Sequence, residues 1–348
     1  MVYYCEDYWQ DVRLVSVQIP SIENLYGSSI LITGATGMIC SAVAEVLFIL
    51  NKEKNAKMHI ILAGRNKDRL QKRFYCFEEG KDYSFCHYDA ISATLQDIKA
   101  DYIIHGASNA DPGKFAKEPV ETMLANIVGL NTLLKSALVN LTKRLLYISS
   151  GEVYGRKEEQ RPYKEDDYGL VDILNPRASY PSSKRATETL CVAYSAEYGL
   201  DTVIVRPGHI YGPTITDSDS RASAQFTRQA KGGEDIVMKS AGSQLRSYCY
   251  TLDCASAILT VLINGNRGEA YNISNPNSIV TIREMAEDLA KAGNVDIVFE
   301  NPSDIEKKNY NLMENSSLDS IKLEKLGWRP TFNMKEGAKK TLKFYIHG

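Results

Sequence analysis

The chain has 348 residues, enough for one large domain or two modest ones, and its 44% apolar and 24% charged residues are the balance of a protein that buries a real core. Lys and Arg number 41 against 43 Asp and Glu, a net charge of −2, which calls for neither nucleic acid nor an anionic membrane as partner. Seven cysteines, an odd number with no CxxC pair and no His at metal-ligand spacing, argue against a disulfide scaffold or a metal site and for reduced thiols in the cytoplasm.

Residues 1–28 read as a polar, aromatic N-terminal extension. It opens with Tyr3, Tyr4, Glu6, Asp7 and Trp9, not with the basic-then-apolar order of a signal peptide. The run Ser29–Thr33 predicts a strand ending in glycines, and a helix follows from about Met38 to Asn51, with Val43, Val46, Leu47 and Leu50 near the 3.6 period. Within it, residues 42–50 form the longest strongly apolar stretch, far short of the roughly 20 residues of a bilayer crossing. Then come a strand at His59–Ala63, a charged helix at about 66–76, and short strands at Phe85–Tyr88 and Tyr102–His105. Helix-length material at 118–140 leads to a strand at Arg144–Ser149, a helix at Ser179–Tyr198 stopped by Gly199, and a strand at Thr202–Val205. Strands alternating with helices specify an α/β class protein with a parallel sheet covered on both faces, here over 29–206. From 207 to 348 the pattern changes, which predicts a smaller α/β region over the sheet's carboxyl edge with some segments returning to the sheet. The polar stretches 156–177 and 214–235 read as lids or as ordinary surface loops.

The first strand turns into the first helix through Thr33-Gly34-Ala35-Thr36-Gly37-Met38-Ile39-Cys40. Gly34 and Gly37 let the backbone approach a pyrophosphate whose charge the helix N-terminus meets, with Thr36, Met38 and Ile39 beside it; the plainer reading is an ordinary turn. The third small position is taken by Cys40, which predicts a helix standing slightly farther from the sheet. At the end of the second strand an acidic residue would bind the ribose hydroxyls, whereas an Arg accommodates a 2′-phosphate. The sequence there is Ala63-Gly64-Arg65-Asn66-Lys67, so local chemistry leans to NADP over NAD, unless Arg65 stacks on adenine or faces solvent. Asp89, followed by Ala90, is placed either for the adenine edge or as a plain loop aspartate.

Tyr180 and Lys184 lie four apart at the start of a helix and so share one face. A tyrosine is a poor base at neutral pH; a neighbouring ammonium and a cationic nicotinamide ring would favour its phenolate. The preceding strand ends Tyr147-Ile-Ser-Ser-Gly-Glu-Val-Tyr-Gly155. There Ser150 can hydrogen-bond a substrate hydroxyl, and Glu152 is placed for proton transfer at a neighbouring carbon. Ser149 reads as a satisfied strand-end hydroxyl.

The segments Thr33–Cys40, Ile103–Asn109, Asn126-Ile-Val-Gly129, Ser149–Gly155, Tyr180–Lys184 and Arg206–Pro213 resemble, in order, the motifs of the extended short-chain dehydrogenase/reductases. Among these the chain is similar to the nucleotide-sugar epimerase/dehydratase family, with its UDP-glucuronate decarboxylases, 4,6-dehydratases and 4-epimerases. The resemblance implies a Rossmann-type doubly wound parallel sheet for the cofactor and a nucleotide-sugar domain beyond it. It also implies oxidation of sugar C4 with NAD or NADP, the analogy leaning to NAD against the lean of Arg65 to NADP, with Tyr180 as base, Lys184 as its tuner and Ser150 as hydrogen-bonding partner. His105 and Ala107 would line the cofactor path and Asn126 would support the active-site network. Ser108, Gly151, His209 and Arg246 would face the nucleotide sugar, His209 standing where the family usually has Asn. The resemblance further implies a homodimer paired through 118–140 and 180–198.

Glu at the position of Glu152 favours chemistry at C5 after C4 oxidation, decarboxylation slightly ahead of 4,6-dehydration. Many dehydratases of the family carry an acid just before this Glu, and its decarboxylases usually Ser; Gly151 matches neither. The alternatives are a 4-epimerase, an NADPH-dependent 4-keto-sugar reductase, favoured by Arg65, and a non-catalytic nucleotide-binding relative.

Overall fold

The β-branched and leucine runs of the N-terminal half form β1 (Ser29–Thr33), β2 (His59–Gly64), β3 (Ser84–Asp89), the short β4 (Thr94–Leu95), β5 (Tyr102–His105), β6 (Arg144–Ile148) and β7 (Thr202–Pro207). A computed structural model of the chain describes residues 2–301 and 313–346. With β11 (Ala270–Ile273) the strands make one eight-stranded sheet of order β11-β7-β6-β5-β1-β2-β3-β4. Neighbours are parallel and in register, with Thr33 beside both Ala63 and His105, and only β4 runs antiparallel, at the edge against β3. Every residue of β7 is buried, as expected of a strand covered on both faces. Strand order reverses between β1 and β5, and open α/β sheets bind ligands in the crevice outside the carboxyl ends at such a point.

Helices α1 (Glu6–Ser16), α2 (Met38–Lys54), α3 (Lys67–Arg73), α4 (Pro112–Lys117), α5 (Pro119–Val139) and α6 (Ser179–Tyr198) complete the first half. The extension at 1–28 carries a helix: α1 packs on α2, and Tyr4 and Tyr8 both donate to Glu45, which also pairs with Arg73 at 2.8 Å. Residues Val2 and Tyr345 bridge, so the two ends of the described chain meet. Helix α5 is long and apolar enough to cross a membrane by length and composition, a segment the reading of 42–50 as the longest apolar run passed over. Here it packs along α6. All seven cysteines are free thiols.

Beyond β7, β8 (His209–Tyr211) and β10 (Leu245–Tyr250) join β12 (Ile279–Thr281) in a three-stranded sheet, and β9 (Ile236–Met238) pairs with β13 (Ile297–Phe299). The stretch expected as a loop at 214–235 contains α7 (Ala222–Gly232). Helix α8 (Thr251–Asn264), with Thr251 through Leu262 all buried, packs against α2 under the main sheet. With β11 beside β7 it returns part of the C-terminal half to the first layer. A helix buried on every side shows no amphipathic stripe, which is why the sequence did not announce it. Helices α9 (Ile282–Gly293), α10 (Ile321–Glu324) and α11 (Met334–Phe344) finish the described chain. Of the region 207–348 assigned from sequence, 302–312 and the last two residues lie outside the described residues.

Candidate active site

The carboxyl edge of the main sheet opens into a cavity of about 1580 Å³ floored by the β1–α2 turn and walled by β6, α6, α7 and β10. Gly34 has φ +71, and a Cβ on it would lie 2.8 Å from the backbone of Gly106 and Ala107, so only glycine fits here. Gly37 is the N-cap of α2, with no side-chain cap and no acid in the first turn, so the helix N-terminus is left to meet an anion. Thr36, Met38, Ile39 and Ala107 line this part of the cavity. The loop therefore fits a dinucleotide pyrophosphate. Cys40 needs room that Gly106 supplies: its Sγ fills the space that a Cβ at Gly106 would take, so the bulk of the third loop residue is absorbed at the end of β5.

Arg65, Asn66 and Arg69 line the cavity beyond β2, where Asn66 caps α3 by accepting from the backbone N–H of Arg69 at 2.8 Å. Asp89 and Ala90 line the opposite rim, and Asp89 is engaged by the backbone N–H of Ile91 at 3.0 Å. Two expected residues stand one layer back. Asn126 is fully buried and donates to Ser183 Oγ at 2.9 Å, with its Oδ1 lacking a partner among the described residues. His105 is buried with Nδ1 2.7 Å from Thr33 Oγ1 and its ring stacked on Tyr147.

Tyr180 and Lys184 both line the cavity from the first turns of α6. Burial pushes the Tyr180 phenol up to about 12; a hydrogen bond with Ser150 opposes this, Glu152 adds to it and Arg221 pulls the other way. Burial also brings the Lys184 ammonium down to about 7, with Glu188 opposing. Its Nζ donates to the Ile148 carbonyl at 2.8 Å and lies 5.7 Å from the centre of the Tyr180 ring. The lowering expected from the sequence needs the cationic nicotinamide ring as well as the ammonium; in the protein alone burial dominates, and the phenol is protonated at neutral pH.

After β6 the chain makes a 3-10 turn at Gly151–Tyr154, where Ser150 Oγ accepts from the Glu152 N–H at 3.2 Å. Arg185 of α6 pins this turn through the carbonyls of Val153 and Tyr154, at 2.6 and 3.1 Å. Glu152 faces the cavity and pairs with Arg177, at 3.1 Å from Oε1 and 3.3 Å from Oε2. A Cβ on Gly151 would stand 3.3 Å from Leu318 Cδ1, so the position carries no proton donor of its own and borders an apolar side chain. At the far end, His209, Arg246 and Arg221 line the cavity. Burial, then Arg246 and Arg221, hold the His209 imidazole down at about 3, so it is neutral, and its Nδ1 has no partner among the described residues. Arg246 donates only to main-chain carbonyls, Leu245 at 2.8 Å and Glu314 at 3.5 Å, which leaves its charge without a carboxylate contact among the described residues. Ser108 Oγ is likewise buried at the cavity wall, without a partner among the described residues.

Sequence reasoning did not single out Arg177, Arg221 or Phe115. Phe115 of α4 stacks on Tyr180 with ring centres 5.0 Å apart and carries the Arg177 guanidinium 5.6 Å from its own centre. Nothing local marks these residues, because α4, the turn before α6 and the turn before α7 meet only through the fold. The one available hint was Arg177 standing three residues before Tyr180.

The pattern of the NAD dependent epimerase/dehydratase family matches residues 30–274. The chain is 28% identical over 319 residues to UDP-glucuronic acid decarboxylase 1 of Xenopus tropicalis, covering 91% of this chain and 72% of that one. It is 29% identical over 315 residues to UDP-glucuronic acid decarboxylase 6 of Arabidopsis thaliana, covering 88% and 86%. Among solved structures, the dTDP-glucose 4,6-dehydratase DesIV of Streptomyces venezuelae with NAD bound superposes with a TM-score of 0.76 at 24% identity, over 90% of this chain and 96% of that one. The chain belongs to the NAD dependent epimerase/dehydratase family and is an enzyme of its nicotinamide-dependent chemistry.

Proposed function

We propose that this protein oxidises C4 of the sugar in a nucleotide sugar and then acts at C5, by decarboxylation of a UDP-glucuronate-like substrate in preference to 4,6-dehydration. The Ser150-Gly151-Glu152 turn carries the reading. It sets a carboxylate beside the Tyr180–Lys184 pair, while glycine stands where many dehydratases would carry an acid. Loss of hydroxide from C6 is assisted by a proton donor near that oxygen. Loss of carbon dioxide needs none, so a position 151 without a donor favours a carboxylate at C5.

The bound nicotinamide supplies the hydride acceptor for C4. Tyr180 receives the C4 hydroxyl proton once the charge of Lys184 and of the loaded site outweighs the burial that keeps the phenol near 12. Ser150, hydrogen-bonded to that phenol, holds the same substrate oxygen. With a ketone at C4, the electron pair of the C5–C6 bond passes to the ketone oxygen as an enolate and carbon dioxide departs. A proton then reaches C5 from the side where Glu152 stands. The C4 hydrogen returns at the end, so no external oxidant is consumed. Arg246 and neutral His209, which can donate a hydrogen bond from its ring, suit the diphosphate of the nucleotide.

For the cofactor we propose NADP, supported by Arg65 and Arg69 lining the cavity beyond β2 with no carboxylate at the strand's tip. A homodimer is supported by Val120, Met123, Leu124 and Val128, apolar side chains that α5 leaves exposed, and a cytoplasmic setting by the free thiols. The function is tested by identifying products from UDP-glucuronate and from neutral UDP- and dTDP-hexoses. A UDP-pentose with carbon dioxide is expected; a C4-inverted sugar as the sole product overturns the reading.

A further inference from the structure

We infer that Arg177 is a positioning residue for the C5 step, holding the Glu152 carboxylate in its working orientation. This rests on the proposed function in one respect, that Glu152 stands at the sugar's C5. Arg177 lies in the 3-10 turn Pro176–Ala178, just ahead of α6, and its own N–H is held by the Asn175 side chain at 3.0 Å. Its two terminal nitrogens reach separate oxygens of Glu152, at 3.1 and 3.3 Å, the forked geometry by which a guanidinium fixes both the place and the plane of a carboxylate. The arginine is itself fixed over Phe115, whose ring lies nearly parallel to that of Tyr180, with 11° between them. Tyr180, Phe115, Arg177 and Glu152 thus form one chain of contacts along the cavity wall. The C4 base and the C5 carboxylate are set by a common support.

Stability alone does not account for the pair. The side chains are 29% and 27% exposed, so water screens part of what the pair adds to folding. The 3-10 turn carrying Glu152 is already pinned by Arg185 through two main-chain carbonyls, so Arg177 is not needed to hold the backbone. Among the described residues it is Arg177 that contacts the carboxylate itself. Without it Glu152 would be free to swing toward Arg246, another cation lining the same cavity. Such a swing would carry the carboxylate away from C5, and a displacement of an ångström at a reacting centre costs on the order of 10²-fold in rate.

The test separates the two steps with UDP-glucuronate in deuterium oxide, in single turnover. Nicotinamide reduction reads C4 oxidation, and deuterium arriving at C5 of the product reads the second step. Arg177→Gln is expected to leave the burst of reduction within threefold of wild type while slowing C5 labelling by roughly 10²-fold. Arg177→Lys, which restores one donor, should fall between. In the Glu152→Gln background, Arg177→Gln should cost nothing further, because its effect runs through Glu152. Equal slowing of both steps, or a full added loss in the double variant, overturns the role of Arg177. No C5 labelling by the wild-type enzyme contradicts the proposed function itself.

Discussion

The thiol of Cys40 and the missing side chain of Gly106 are complementary: the Sγ from the first turn of α2 occupies the space that a Cβ at the end of β5 would need. The larger residue in the phosphate loop and the glycine facing it across the switch point are one packing solution. Gly106→Ala should therefore overpack the site and destabilise the fold by about 1–3 kcal/mol. Cys40→Ala in the same chain should recover most of that loss, a coupling readable by denaturant unfolding of the four members of the cycle. Additive effects would show that the two sites are independent.

Tyr180→Phe removes the atom assigned to take the C4 hydroxyl proton in the proposed step. Nicotinamide reduction by substrate should fall by roughly 10² to 10⁴-fold, the span of general acid–base contributions, with UDP affinity unchanged. Stopped-flow absorbance and calorimetric binding check the two halves separately.

The site is built at a cost that pH exposes. Burial holds the Lys184 ammonium at about 7, whereas in the unfolded chain it titrates near an ordinary lysine. Below pH 7 both states carry the proton and the whole burial penalty acts on the fold. Between about 7 and 10 the unfolded state binds more protons, so stability rises with pH, by at most about 1.4 kcal/mol per unit. Wild-type stability relative to Lys184→Met should therefore increase across that window and be flat below pH 6. Denaturant unfolding from pH 5.5 to 10 reads it directly.

Cofactor choice follows from charge at the tip of β2. If Arg65 and Arg69 meet a 2′-phosphate, replacing both with Ala should weaken NADP binding by roughly tenfold or more and leave NAD binding within twofold. Fluorescence titration with the reduced nucleotides distinguishes the outcomes, and an equal change for both would assign the arginines to adenine or to solvent.

Much of this was legible in the chain. The helix of 179–198 and the strand of 29–33 lie where period and composition put them, because an alternating α/β chain writes its buried strands as short apolar runs. The glycine turn, Ser150, Glu152, Tyr180 and Lys184 all reach one cavity for the same reason: each follows a strand at its carboxyl end or opens the next helix. What could not be read came from long-range closure. Arg177, Phe115 and Arg221 gain their meaning only when α4 and the turns before α6 and α7 fold against one another. Helix α8 was hidden by burial on all sides. Spacing reports the ammonium near Tyr180, while the depth of burial that raises its phenol in the protein alone appears only in the folded chain.

Isotope placement decides the main question. With UDP-glucuronate in deuterium oxide, the reading requires a UDP-pentose bearing one deuterium at C5 and none at C4, released with carbon dioxide, and Glu152→Gln should slow that labelling. A hexuronate inverted at C4 with its C5 hydrogen retained would show that the enzyme never acts at C5.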